Sequence, residues 1–226
     1  QRMINLQQQT GFMYGDLTAK QFKLLDAENQ RKTVMGNTLE ILDQLNTVEN
    51  RSAANLKQIT FVMNQFAAQA HQTGESMAMM AAMSATLIEA GEEQGKAGRA
   101  LRMIYARLGS NIQNNNDLLK QFGIETKNAS GALRPMSEIV LELADVFPRL
   151  TAEQRQNIVQ TVAGNDHYVR FVKLIQNSSR MTELHEDAIN NQATAQEEVN
   201  RVTDDASTLY KEALADLEHV QAQMGR

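Results

Sequence analysis

Cysteine and tryptophan are absent from the 226 residues, and proline occurs only twice. Without cysteine there is no disulfide framework and no thiolate metal site. Two prolines is far below the average usage of about 5%, and β-branched runs are few, which fits an all-helical chain. Aromatics make up 5% of the residues against 42% for all hydrophobics, so any core rests on aliphatic side chains and twelve methionines. Positive charge is also short: 22 Lys and Arg face 27 Asp and Glu, a net charge of -5. That balance argues against a general nucleic-acid binder, which carries a basic surface. The longest apolar run, MAMMAAM at Met77–Met83, falls short of the roughly 20 residues that cross a bilayer, and no signal peptide is visible. The chain opens at Gln1 rather than Met and reads as a piece of a longer protein.

What is present is helical periodicity, and it divides the chain in three. Residues 1–50 are rich in Gln and Asn, with Leu17, Leu24, Leu25, Leu39, Leu42 and Leu45 spaced as an exposed helical arm, or a hairpin broken near Gly36. Residues 51–178 read as a compact bundle of antiparallel helices. Ser52 is a candidate N-cap for a stripe of Leu56, Ile59, Met63, Phe66 and Ala70, and Ser76 caps a Met- and Ala-rich helix with an apolar side of Met77, Met80, Ala81, Leu87 and Ile88. A third stripe runs Leu101, Ile104, Tyr105, Leu108 and Ile112, and NIQNNND at Asn111–Asp117 breaks it. Leu118, Leu119 and Phe122 then mark a short helix before the loop KNASGALRP. Pro135 suits a helix start, Ile139, Leu143, Val146 and Phe147 give that helix its core face, and Pro148 closes it. Thr151 to Gln154 matches a capping box. The helix after Gly164 is expected to bury Val169, Val172 and Ile175. Residues 179–226 carry a narrow seam, Val199, Val202, Ala206, Leu209, Ala213, Leu217, Val220 and Met224, in alternating steps of three and four. Such a seam belongs to a long, coiled-coil-like C-terminal helix that brings copies together.

The sequence carries no motif that marks a catalytic or cofactor site. Gly91, Gly95 and Gly98 lie in GEEQGKAG, whose spacing is GxxxGxxG rather than GxGxxG. Ala97 stands where a P-loop needs Ser or Thr for Mg²⁺. A phosphate loop, a close helix crossing and a corner between helices compete for these glycines, and the corner fits best. It lets the Met77–Ile88 and Leu101–Ile112 helices pack antiparallel. HEDAI at His185–Ile189 lacks the second His of a zinc motif. Adjacent acids such as Glu92 and Glu93 diverge on a helix and read as solvated faces. No catalytic, metal or cofactor residue is assigned. Lys96, Arg99, Arg102 and Arg107 form a local basic cluster, a candidate partner contact against the plainer reading of a solvated face.

The order of these features resembles one known family. AGEEQGKAGRALRMIYARL is followed by LLKQFGI, GALRPMSEIVLELADVFPRLT, AEQRQNIVQTVAG and YVRFVKLI, and then by a long charged helix. That order is similar to the helical region of bacteriophage tail tape measure proteins. There a glycine corner precedes an A-L-R helix (here Gly91 through Arg102), then L-x-x-x-G-I (Leu119 through Ile124), G-x-L-R-P (Gly131 through Pro135) and a helix ending in Gly (Gly164). The likeness covers about Asn55 to Met224. NDHYVRF after Gly164 is bulkier and more charged than the family's small residues, and the first fifty residues match none of the motifs. The resemblance implies a helical structural protein in the lumen of a phage tail, present in the host cytoplasm during assembly. It also implies contacts with tail tube and with tail tip or baseplate proteins, a trimer or hexamer of copies, and release during DNA ejection. Some members help cross the host envelope. The rival readings are a cellular coiled-coil scaffold and a segment of a wall hydrolase, for which no acid pair is in place.

Overall fold

The computed structural model describes residues 27–110 and 112–190, and these form nine α-helices joined by short turns and one longer loop over 121–135. They are α1 (Ala27–Arg51), α2 (Leu56–Gln72), α3 (Met77–Glu89), α4 (Gln94–Ser110), α5 (Ile112–Lys120), α6 (Met136–Val146), α7 (Ala152–Ala163), α8 (Tyr168–Gln176) and α9 (Ser178–Asn190). Two 3-10 turns, Phe147–Arg149 and Asn165–His167, lead into α7 and α8. The chain is all-α over the described residues. The single bridge, Lys127 to Leu133, closes the loop before α6.

Side chains that satisfy free backbone N–H groups set the helix starts. Ser76 Oγ accepts from Met79 N at 3.1 Å at the start of α3. Thr151 and Gln154 form the expected capping box of α7, at 3.2 and 2.8 Å. At α2 the cap is Asn55, not Ser52. Asn55 Oδ1 accepts from Gln58 N at 3.0 Å, and Gln58 Oε1 accepts from Asn55 N at 3.1 Å. Asn caps as well as Ser, so the better-placed residue three positions later wins.

α3 occupies the middle. Every residue from Met77 to Leu87 is buried, where one apolar side was expected. A helix without a polar face cannot sit at a surface. Its four alanines between Ala78 and Ala85 let α1, α2, α8 and α9 all approach it. Ser84, the polar residue at its centre, donates its hydroxyl to Met80 O at 2.7 Å.

Two expected boundaries move. α1 runs unbroken through Gly36, which has open space around it. A helical glycine costs about 1 kcal/mol, less than the burial of Ile41, Leu45 and Val48 returns. The second half of α1 therefore belongs to the core rather than to an exposed arm. At the other end, Met181, Leu184 and Ala188 of α9 are buried against α1 and α3, so residues 178–190 also belong to the bundle. The supposed breaker at Asn111–Asp117 is largely helical as α5, and Asn115 is buried with its amide donating to Arg107 O at 3.1 Å.

α4 makes its most extensive contact with α2 and a smaller one with α3. Gly98 faces Gln65, and Tyr105 Oη reaches Glu75 just past the end of α2, so α2 and α4 run in the same direction. The smaller contact with α3 keeps the expected antiparallel sense, since the same Tyr105 bond sets the later part of α4 beside the start of α3. α3 is shared among several helices, and α2 offers α4 the more extensive complementary stripe. Tyr105 stacks on Phe66 with ring centroids 5.7 Å apart.

Candidate interaction surface

The three glycines have separate roles. Gly91 lies just past α3 with φ +83°. Its N–H donates to Ile88 O at 2.9 Å and the Glu92 N–H to Leu87 O at 3.0 Å, the paired bonds of a Schellman stop. Gly95 and Gly98 are inside α4, not in the corner. A Cβ on Gly98 would stand 2.5 Å from the Gln65 amide, so Gly98 serves the close crossing with α2. Two of the three competing explanations therefore hold, at different residues.

Carboxylates hold both ends of α3. Ahead of it, Glu75 is 3% exposed. Its oxygens accept from Tyr105 Oη at 2.8 Å, Ser137 Oγ at 2.6 Å and Ser137 N at 3.2 Å. Pro135 offers no side-chain cap at the start of α6, so Glu75 supplies the acceptor from a distant turn. Burial pushes its carboxyl above the usual 4.5, against the lowering effect of these hydrogen bonds. Beyond α3, Glu92 takes Arg170 at 2.8 Å and also Lys173, both on α8. Burial opposes ionisation there too, but the Lys173 hydrogen bond and the charges of Arg170 and Lys173 outweigh it and hold the carboxyl below 4.5. Glu89 in the last turn of α3 pairs with Arg180 of α9 at 3.0 Å, and Arg180 also donates to Arg51 O at the end of α1. Glu92 is thus a bridge rather than a solvated acid.

The basic cluster on α4 splits as well. Lys96, Arg99 and Arg102 are exposed and form no ion pair with a described acid. Arg107 is half-buried. Its guanidinium packs against Gly164, 3.2 Å from where a Cβ would sit, and Nη2 donates to Gln160 O at 3.5 Å. Nε of Arg107 is enclosed without a partner. The 3-10 turn Asn165–His167 lies beside α4. His167 is partly exposed there, while its Nδ1 is enclosed and unpartnered. Burial and the Arg170 charge push its imidazole below the usual 6.5, Asp166 opposes them, and Arg107 and Arg99 add to the lowering.

Val169, expected in the core and two positions after His167, is 59% exposed. The face of α8 that turns inward is Phe171, Leu174 and Ile175, because the phenyl ring is the largest apolar group available and sets the rotation. Met103 on α4 is also open, at 38%. Neither exposed side chain was expected from the sequence. The sign that could have found Val169 is the bulk of Phe171 two positions later. The seam from Val199 to Met224 lies outside the described residues.

No helix among the described residues is long and apolar enough to cross a membrane, and no group of three or more His, Asp or Glu there is placed to hold a metal ion. Residues 4–164 match the family described as phage-related minor tail protein. A probable tape measure protein of Escherichia phage P2 is 28% identical over 126 residues, which is 55% of this chain and 16% of that protein. The chain thus corresponds to a small part of that relative's length. The family match reaches into the first fifty residues, where the sequence motifs gave no anchor, and it ends at Gly164. No solved structure matches the chain.

Proposed function

The chain belongs to the phage-related minor tail protein family, and from that premise we propose that it is a segment of a tape measure protein. In this reading the whole protein lies in the tail lumen, templates polymerisation of the tube, sets tail length and leaves with the DNA on ejection. The observation that carries the reading is the family match over residues 4–164 together with the likeness to a probable tape measure protein of phage P2.

Within that protein the segment acts by docking rather than by measuring. A ruler needs extended helix, which gains about 1.5 Å per residue. Residues 27–190 instead fold back on themselves around α3. The bundle is an assembly module that contacts other tail components, tube or tip. The Val199–Met224 seam brings copies together, as a trimer or hexamer. The net charge of -5 keeps the chain from binding DNA that shares the lumen. No chemical step is assigned to it.

Coexpression with the tail tube and tail tip proteins of the same phage tests the reading. The chain is expected to copurify with at least one of them. Purification free of both would contradict it.

A further inference from the structure

Several exposed features left without a role lie along one edge of the bundle. Arg99, Met103 and Arg107 follow at steps of four along α4, so they share a face. His167, from the 3-10 turn, stands beside α4, where the Arg99 and Arg107 charges are felt at its ring, and Val169 follows two positions later at the start of α8, which also contacts α4. Arg170 is already taken by Glu92, which leaves Asp166 as the acid facing this group. The edge is cationic on a protein of net charge -5, and it carries two open apolar side chains, Met103 between the arginines at 38% and Val169 at 59% exposure.

We propose that this edge, formed by Arg99, Met103, Arg107, His167 and Val169, is a docking site for an acidic amphipathic segment of another protein. Carboxylates of that segment pair with the two guanidinium groups, which are about two helical turns apart, and apolar side chains between them rest on Met103 and Val169. Three observations select this occupant. Arg99 pairs with no acid among the described residues, which leaves its charge for a partner. The Arg107 head is held by Gly164 and Gln160 O, which fixes its geometry before binding and lowers the ordering cost. The apolar flanks and the acidic remainder of the protein disfavour a polyphosphate backbone, which asks for a wide basic surface. Imidazole crowded by cations also has a stake in the site, since an added anion stabilises its protonated form.

The proposal rests on the tail-component reading only for which protein carries the segment. A synthetic probe therefore tests it independently. The full chain is titrated with a fluorescent amphipathic helical peptide of Glu and Leu, and in parallel with its Gln-for-Glu analogue, inorganic phosphate and a short DNA duplex. The acidic peptide is expected to bind at least about tenfold more tightly than the Gln analogue, and to raise the pKa of His167 read from its imidazole NMR signal. Arg99→Gln and Arg107→Gln should each weaken binding about tenfold. Val169→Ser should weaken it as well, while Lys57→Gln on α2 should change it less than about twofold. Arg99 is exposed and pairs with no described acid, so its variant reports on binding even if Arg107→Gln destabilises the bundle. Four results would each overturn the proposal: no peptide binding up to about 1 mM, equal binding of the Gln analogue, displacement by phosphate or DNA as effective as by peptide, or an equal loss in Lys57→Gln.

Discussion

The two ends of α3 are held by the same residue type under opposite conditions. Glu75 at the front is sealed among neutral donors, two from Ser137 and one from Tyr105, and burial raises its carboxyl. Glu92 at the back meets Lys173 and Arg170, and their combined pull lowers it. The front joint ties α3 to α4 and to the uncapped start of α6. The back joint ties it to α8. Neighbours, not residue type, decide whether a carboxylate favours its neutral or its charged form. Between them the stretch Met77–Leu87 has no polar face and is held by apolar packing, with the Glu89–Arg180 pair only at its end.

That middle stretch sets the largest expected effect. Met80→Ala, at a fully buried site, should cost about 2–5 kcal/mol in urea unfolding followed by helical circular dichroism. A loss below about 1 kcal/mol would mean that α3 is not the packing centre. Glu92→Gln comes next. It leaves two cations without their acid and should cost about 1.5–3 kcal/mol at neutral pH. Because the folded carboxyl lies below 4.5, this contribution is present above that pH and fades as the pH falls through the folded value.

Gly91→Ala should cost about 1–2 kcal/mol, since φ there is +83° and the space for a methyl is open, so only backbone strain is added. Glu75→Gln sharpens the contrast of the two ends. With its folded pKa raised, the native state holds a proton that the unfolded chain releases above 4.5. Stability should therefore be greater below that pH and decline as pH rises through the folded value, relative to Glu75→Gln, by at most about 1.4 kcal/mol per pH unit. Parallel pH profiles for the wild type and that variant would show that Glu75 does not titrate in this range. The smallest effect is expected from Gly98→Ala. The obstructing group is the flexible end of Gln65, which can swing aside, and alanine favours helix by up to about 1 kcal/mol. The change should stay within about 1 kcal/mol of zero.

Local signals were legible in the sequence. The caps at Ser76 and Thr151, the stop at Gly91 and the stripe of α2 all follow from residue type and spacing. So did the all-α class and, from the order of motifs, the family. What escaped depends on contacts distant in sequence. Nothing in TGES marks Glu75 as the cap of a helix sixty positions on. Nothing in GEEQ separates Glu92, which bridges two cations, from Glu93, which is exposed. The three glycines are alike on paper, and only the partner at Gly98 and the positive φ at Gly91 tell them apart. The basic cluster was visible, but its division into free Arg99 and anchored Arg107, and the apolar side chains beside it, appeared only with the packing of α4 against the turn after Gly164.

The central claim, that the bundle is an assembly module of a phage tail, is tested most directly by electron microscopy of tails from a phage whose protein lacks residues 27–190. The account predicts that tails of regular length fail to form. Tails of unchanged number and length would contradict it.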